Sequence, residues 1–314
     1  MQWLNRQAIA LRRRRATAML AAALCVPAFA AGAPASASPA QLAESCKRLT
    51  VRLPGVSVAT CQNSAVAPTG AQSRNGFPIL MRAVPAAKSG KRGEPVRILL
   101  LGGIHGDELT AAAIVFHWMR WMNTAPAQEF HWHVAPVVNP DGLLAPKPQR
   151  VNANGVDLNR NFPTPGWERD AKHYWAQKTG SDPRRFPGQS PLSEPESRWL
   201  NDEMERFRPH VIISVHAPFG VLDFDGPAKA PRRFGRLYFS RVGVYPGSLG
   251  NYGGMHKNVP VITIELPNAL AMPPEDEVRR IWRDMLAWIA RSVPHEAGKG
   301  SIQRTSKKAA AIDH

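Results

Sequence analysis

Apolar residues occur along the chain in short continuous runs that alternate with stretches of helical spacing. The run from Val96 to Leu101 is apolar except at Arg97 and ends at Gly102 and Gly103, which predicts a buried strand. Comparable runs predict three more strands, at 130–139, 211–215 and 259–266. Apolar positions at helical spacing predict three main helices, at 108–122, 193–207 and 275–292.

This alternation of strands and helices predicts an α/β fold with a mixed, largely parallel central sheet and helices on both faces. The domain is expected to span residues 92–294 and to follow an N-terminal segment at 38–91. Asn139 to Gly142 is predicted to form a turn after the second of the four strands. Ser193 and Glu196 have the spacing of a capping box at the start of a helix.

Composition adds a strong positive charge to this picture. Hydrophobic residues make up 44% of the chain and charged residues 20%, as in ordinary soluble enzymes, but the formal net charge is +16. Such an excess suits an acidic substrate or an anionic surface. No finger, zipper or RNP-like pattern accompanies the charge, so the sequence does not predict a nucleic-acid partner.

The first residues have the pattern of a secretory signal. Arg12 to Arg15 precede an Ala-rich apolar run at about 16–31, and small residues follow it. The run is short and Pro27 interrupts it, so stable membrane insertion is not expected. Residues 1–37 are therefore predicted to be a signal peptide with its cleavage region, and the protein to be periplasmic or secreted. Residues 295–314 are predicted to be a disordered polar tail.

Removal of this signal would leave two cysteines, Cys46 and Cys61. Two cysteines this close together in an exported protein predict a disulfide that closes a small loop. Such a bridge would contribute roughly 3 kcal/mol in the loop-entropy model. We expect it to stabilise the fold and to take no part in catalysis.

Three residues at the ends of predicted strands form a candidate metal site. His105 and Glu108 follow the strand at 96–101 in an H-x-x-E pattern, and His216 follows the strand at 211–215. Ligands of α/β proteins gather at the carboxyl ends of the strands, so these residues are expected to meet there. Two histidines and one glutamate are a donor set of catalytic zinc, which keeps a position open for water. The sequence thus predicts one Zn²⁺ per chain.

Further polar residues near this site suggest amide hydrolysis. Glu265 lies in the apolar strand at 259–266, where a carboxylate is costly to bury unless it is paired or functional, and it is predicted to be the general base. Arg160 and Asn159 offer donors for a substrate carboxylate. Asp157 is placed to hold the second ring nitrogen of a metal-binding histidine, and Arg150 to stabilise an oxyanion.

These motifs together resemble the M14 zinc carboxypeptidases, and within that family the murein peptide amidase A group. The resemblance covers about Val96 to Val293. It implies that the predicted ligands bind zinc and that Glu265 is the base. It also implies a peptide substrate with a free carboxylate, cleaved at the γ-D-glutamyl–meso-diaminopimelate bond of murein. The matching motifs, in chain order, are Gly103–Glu108, Asn139–Gly142, Gly155–Phe162, Ser193–Ser197, His216 and Glu265.

The resemblance also implies a tyrosine that closes over the substrate and a pocket for the departing side chain. Tyr245 is the first candidate for this tyrosine and Tyr252 the second. The pocket is expected near Ser248–Asn251, where Leu249 argues against a pocket built around an acidic residue.

Three other functions stay open at this point. They are a general C-terminal carboxypeptidase, a small-molecule deacylase like aspartoacylase or succinylglutamate desuccinylase, and a zinc-free protein that binds wall peptides. The turn at Asn139–Gly142 and the segment Ser193–Ser197 favour the peptidase over the deacylase. Because the metal ligands and Glu265 are intact, an enzyme is favoured over a binding protein.

Overall fold

The computed structural model describes residues 39–87 and 94–293. The predicted signal peptide and the predicted C-terminal tail lie outside these residues. The helices are α1 Pro39–Thr50, α2 Val58–Gln62, α3 Leu109–Met119, α4 Pro140–Leu144, α5 Trp167–Lys178, α6 Pro195–Phe207 and α7 Glu275–Ser292. The strands are β1 Ala67–Gln72, β2 Pro78–Val84, β3 Arg97–Leu101, β4 His131–Ala135, β5 Val211–His216, β6 Val221–Asp225, β7 Arg233–Phe234, β8 Leu237–Phe239 and β9 Val261–Glu265.

Short 3₁₀ turns lie at Ala127–Glu129, Leu158–Arg160 and Pro183–Arg185, and a π-helix lies at Gly250–His256. The strands form one sheet in the order β1-β2-β4-β3-β5-β9-β6-β8-β7. Its centre, β4-β3-β5-β9, is parallel throughout. Antiparallel pairs extend it on both sides, at β2-β4 and at β6-β9. The sheet is therefore mixed, with a parallel centre that corresponds to the four predicted strands.

Helices cover both faces of this sheet. On one face α3 and α7 pack against the strands, and Trp282 of α7 stacks on Trp118 and Trp132 with ring centres 5.7 and 5.4 Å away. On the other face Trp199 and Leu200 of α6 join a second apolar cluster. The central strands are buried on both sides, which explains why they appear in the sequence as continuous apolar runs. The predicted fold class is confirmed.

The N-terminal segment is joined to this sheet. Cys46 of α1 and Cys61 of α2 form the predicted disulfide, with their Cα atoms 5.6 Å apart. Both cysteines are fully buried in the apolar cluster under α3 and α7. After α2 the chain forms the hairpin β1-β2, and β2 pairs with β4. The disulfide-linked helices thus pack on the same core as the rest of the domain.

Two local predictions differ from the structure. The segment predicted to be a turn begins helix α4 instead, since Asn139 Oδ1 accepts the Gly142 N–H at 2.9 Å and caps the helix. The predicted capping box does not form, although helix α6 follows it as expected. Glu196 turns inward and accepts hydrogen bonds from the Arg74 N–H and from Asn152 Nδ2. Long-range contacts here outcompete the local cap.

Membrane insertion was not expected from the sequence. Among the described residues, no helix combines the length and the apolar character that a membrane crossing requires.

Candidate active site

The carboxyl ends of three neighbouring parallel strands bring the predicted catalytic residues together. His105 follows β3, while His216 is the last residue of β5 and Glu265 the last residue of β9. The strands are in register at this edge, since Leu101 is paired with Ser214 and His216 with Glu265. Their side chains line a cavity of about 660 Å³. The sheet therefore assembles the site at the edge where α/β proteins bind ligands.

The predicted metal ligands His105, Glu108 and His216 are all buried, and their donor atoms converge. The Nδ1 atoms of the two histidines are 3.1 Å apart. Glu108 Oε1 lies 2.8 Å from His105 Nδ1, and its Oε2 lies 3.0 Å from His216 Nδ1. Tetrahedral zinc with bonds of about 2.0–2.1 Å would separate its ligands by roughly 3.3 Å. The three donors thus fit one zinc ion with only a small outward movement.

Neighbouring groups fix both imidazole rings. The far nitrogen of His105, Nε2, is 3.1 Å from Asp157 Oδ1, and that of His216 is 3.0 Å from Ser214 Oγ. The Ala217 N–H also donates to Glu108 Oε2 at 3.3 Å. Such contacts orient metal ligands and select the tautomer whose other nitrogen faces the ion. Asp157 lies where the sequence predicted it.

Nearby charges shift the pKa values of Glu108 and His105 in opposite directions. Burial by itself would raise the pKa of Glu108, but His105 and His216 lower it well below its ordinary value. Burial and Arg150 act to lower the pKa of His105, and Glu108 and Asp157 outweigh them and raise it. The anionic carboxylates therefore make this position attractive to a cation.

Glu265 is the buried carboxylate beside this group. Its Oε2 has no hydrogen-bond partner among the described residues. Burial raises the pKa of Glu265, and Glu108 adds to this effect, against the opposite influence of His216 and His105. A cavity-lining carboxylate with an unpaired oxygen, close enough to His216 and Glu108 to interact with their charges, is suited to exchange a proton with water or with substrate. This arrangement is what a general base in the cavity requires.

Asp157 links the metal ligands to the residues that would bind substrate. The side chain is fully buried and contacts His105, the Nε of Arg150 at 2.9 Å and the Asn159 N–H at 3.0 Å. Arg150 Nη1 also lies 3.5 Å from Glu108 Oε1. Arg150 lines the cavity next to the metal ligands, where an oxyanion would need a cation.

Replacement of Asp157 by asparagine is expected to lower zinc affinity by about tenfold or more. The amide keeps the shape of the side chain but removes the charge that orients His105. Competition with a chelator of known affinity measures the effect. Asp202→Asn, on the exposed face of α6, is the matched control. Equal zinc affinity of Asp157→Asn and the unmodified protein would contradict this role.

The predicted carboxylate site lies in the same cavity. Arg160 is buried, and Tyr245 stacks on it, with the guanidinium carbon 4.5 Å from the ring centre. Burial lowers the pKa of Arg160, and no carboxylate lies within ion-pair distance of it among residues 39–87 and 94–293. Asn159 accepts the Leu249 N–H at 2.8 Å through Oδ1, which fixes its amide. A buried cation without a paired anion favours a ligand carboxylate.

The two candidate tyrosines occupy different environments. Tyr245 lines the cavity, and its hydroxyl donates to the Val242 carbonyl at 2.8 Å. Tyr252 is buried in the apolar cluster under α6, where it stacks on Phe162 and its hydroxyl donates to Asn201 Oδ1. The structure therefore favours Tyr245 as the tyrosine of the cavity.

The expectation of a pocket without acidic residues is wrong. Leu249 is buried in the core and does not line the cavity, whereas Asp223 and Asp225 of β6 do. A Cβ on Gly250 would overlap Asp225 Oδ2, so the π-helix leaves room for this carboxylate only through its glycine. Burial raises the pKa of Asp225 to about 6, with a further contribution from Asp223.

Sequence reasoning missed these two aspartates because it missed β6. Shortly after His216, the residues from Leu222 to Asp225 alternate between apolar and acidic, a pattern typical of a strand with one face in the core. Leu222 and Phe224 do join the core. The alternation was the signal that places Asp223 and Asp225 on the opposite face.

Comparison with known proteins agrees with this geometry. A family model for M14 peptidases, described as zinc carboxypeptidase, matches residues 60–222. The chain belongs to the M14 zinc carboxypeptidase family. It is therefore a hydrolytic peptidase, from a family that depends on zinc, and the cluster His105, Glu108 and His216 is a possible metal site of the kind the family needs.

Individual M14 relatives give the same result. The chain is similar to murein peptide amidase A of Escherichia coli, with 30% identity over 220 residues that cover 68% of this chain and 86% of the relative. Murein peptide amidase A of Vibrio campbellii is 32% identical over 178 residues, 54% of this chain and 69% of the relative. Carboxypeptidase A of Helicoverpa armigera shares the fold, with a TM-score of 0.56 and 15% identity over 83% of this chain and 82% of that one.

Proposed function

We propose that this protein is a zinc-dependent carboxypeptidase of murein peptides, which hydrolyses the γ-D-glutamyl–meso-diaminopimelate bond. One observation carries the chemistry: the predicted metal ligands, the carboxylate of Glu265 and the buried guanidinium of Arg160 line a single cavity. A peptidase that acts at a carboxylate terminus needs these three groups together.

The residues have separate tasks in this proposal. His105, Glu108 and His216 would hold zinc, which supplies Lewis acidity toward the scissile carbonyl and acidifies the attacking water. Arg160 binds the carboxylate of the residue to be released, and Asn159 adds a donor beside it. Glu265 removes a proton from the attacking water and then delivers it to the leaving amine. Arg150 stabilises the negative charge that develops on the carbonyl oxygen.

The acidic wall of the cavity supports diaminopimelate as the released residue. Asp223 lies opposite Thr263 and Asp225 opposite Val261, so both carboxylates share the face of β9 that carries Glu265. The strand rise places them roughly 7 and 13 Å beyond Glu265. The far end of diaminopimelate carries an ammonium group beside its second carboxylate, and this ammonium group can pair with a carboxylate of the acidic wall. The relatives named murein peptide amidase A support the same substrate class.

We also propose a periplasmic or secreted location. The basic and apolar N-terminal pattern supports it, and so does the disulfide, since such bonds persist in oxidising compartments. An enzyme at this location would meet its polymer or the fragments released from it.

The test is to incubate zinc-loaded protein with L-Ala-γ-D-Glu-meso-diaminopimelate and to identify products by mass spectrometry. We expect release of free diaminopimelate, its loss after chelation, and its return when zinc is added back. Cleavage of ordinary C-terminal peptides alone would keep the carboxypeptidase chemistry and remove the murein substrate. Cleavage of short N-acyl amino acids alone would identify a small-molecule deacylase.

A further inference from the structure

Two arginines that the mechanism above does not use, Arg184 and Arg185, also line the cavity. Both belong to the 3₁₀ turn Pro183–Arg185, which Asp182 caps by accepting the Arg184 N–H at 2.9 Å. Their side chains are 57% and 45% exposed, so they face the opening of the cavity and not its buried end. They are open to a ligand that enters from solvent.

The backbone that carries these arginines is held on both sides. Trp175 of α5 donates to the Asp182 carbonyl at 2.7 Å, and its ring meets the edge of Phe186 with centres 4.9 Å apart. The Phe186 carbonyl in turn accepts the Asp157 N–H at 2.8 Å. Hydrogen bonds and ring contacts thus hold the turn against the segment that contains Asp157, and the backbone of both arginines has a fixed position.

Arg184 lies at the metal end of the cavity. Its Nη2 is 2.8 Å from Asp107 Oδ2, and Asp107 directly precedes the metal ligand Glu108. The other oxygen of Asp107 is buried and has no hydrogen-bond partner among the described residues. Arg184 therefore lies beside the predicted metal site, whereas the proposed function assigns the far end of the released residue to Asp223 and Asp225.

The cavity holds more cations than a single terminal carboxylate needs. Arg150 is already paired with Asp157 and Glu108, and Arg160 is reserved for the terminal carboxylate. After the effect of burial, Arg185 further lowers the pKa of Arg160, so the arginines repel one another in the free protein. A ligand with more than one carboxylate relieves this repulsion.

The pair of Arg184 with Asp107 is partly exposed to solvent, which weakens it. A guanidinium has five N–H donors, and this contact leaves most of them unused. An ordinary peptide has no charge next to the scissile carbonyl on its acyl side. A γ-glutamyl residue has one there, because its α-carboxylate is separated from that carbonyl only by two methylene groups and the α-carbon. An arginine is the side chain best suited to bind it.

We infer that Arg184 binds the free α-carboxylate of a γ-glutamyl residue on the acyl side of the scissile amide. This inference rests on the proposed function and adds to it a residue that distinguishes γ-glutamyl amides from ordinary peptide bonds.

The experiment compares two substrates, L-Ala-γ-D-Glu-meso-diaminopimelate and the same peptide with the α-carboxylate of D-glutamate converted to a carboxamide. We expect the unmodified enzyme to prefer the free carboxylate by about tenfold or more in kcat/KM. Arg184→Gln is expected to bring this ratio close to one, and Arg184→Lys to retain part of it. Arg169→Gln is the matched control, since Arg169 is an exposed arginine of α5 that also pairs with an aspartate.

Two results would overturn the assignment of Arg184. One is an unmodified enzyme without preference between the substrates, and the other is an equal loss on both substrates in Arg184→Gln with the zinc content unchanged. In either case diaminopimelate is still released, so the proposed function stands. Failure of the zinc-loaded enzyme to cleave either substrate would contradict the proposed function together with this inference.

Discussion

Replacement of Glu265 by glutamine is expected to lower kcat on the murein tripeptide by roughly 10²–10⁴-fold, with zinc still bound. General acid–base catalysis contributes roughly 10²–10⁴-fold in enzymes, and here one carboxylate serves both proton transfers. Glutamine keeps the size of the side chain but accepts no proton. The strand position is unchanged, because β9 is held by β5 and β6 on both sides.

Single-turnover kinetics and zinc content are the measurements for this variant. Glu205→Gln, on the exposed part of α6, serves as the control for the same chemical change away from the cavity. Binding of the intact tripeptide to Glu265→Gln should persist, since Arg160 and the metal ligands remain. A variant that retains zinc and hydrolyses the tripeptide at the unmodified rate would exclude Glu265 as the base.

The central strands and the clustering of His105, Glu108 and His216 were predictable because their signals are local. Buried parallel strands need continuous apolar runs. One such run ends four residues before His105, one ends directly before His216, and one contains Glu265. Adjacent parallel strands end at the same edge of the sheet, so the residues at their carboxyl ends lie close together. The proximity of these three segments, which are far apart in the sequence, was therefore predictable without knowledge of side-chain contacts.

The parts that were missed depend on contacts between distant segments. Glu196 does not form the expected cap, because its carboxylate accepts hydrogen bonds from the Arg74 N–H and from Asn152, which are distant in the sequence. Arg184 reaches the cavity only because Trp175 and Phe186 hold its turn in place. The spacing of residues in the sequence does not predict such contacts.

Short edge strands were the other omission. Strand β7 has two residues and β8 three, which is too short for a periodic signal. The last four residues of β6 do alternate, and that short pattern carried the information about the acidic wall. The prediction from Leu249 was wrong because it considered only the segment before the π-helix. Asp223 and Asp225, the acidic residues of this pocket, come from strand β6.

Asp225→Asn is expected to reduce the preference for a cationic residue at the released position by roughly a hundredfold. Loss of one charged partner in a buried ion pair costs about 2–5 kcal/mol of binding, and 2.7 kcal/mol is a factor of about a hundred. The measurement is the ratio of kcat/KM between two otherwise identical peptides, one ending in lysine and one in alanine. A ratio unchanged by the substitution would exclude Asp225 from the pocket.

The preference for a cationic residue at the released position should depend on pH. Asp223 and Arg241 are the charged groups that act on Asp225, while Gly250 and Val261 face it from the other packed elements. With a pKa of about 6, Asp225 is mostly protonated at pH 5 and mostly ionised at pH 7. The preference for the cationic residue should therefore rise by up to about tenfold between these values. The ratio between two substrates cancels the pH dependence that zinc and Glu265 impose on both.

The free energy of unfolding should fall as the pH rises, whereas the preference for a cationic residue increases. The pKa of Asp225 is raised from 3.8 in the unfolded chain to about 6, so the folded protein holds its proton more tightly. The free energy of unfolding therefore falls as the pH rises through this range and stays lower above it. Asp225→Asn removes that loss and should stabilise the protein at pH 7 by about 1–2 kcal/mol, less than the full shift implies because the cavity admits water. Thermal unfolding at pH 4 and pH 7 measures this. A gain in stability together with a loss of selectivity would identify Asp225 as a residue kept for the ligand at the expense of the fold.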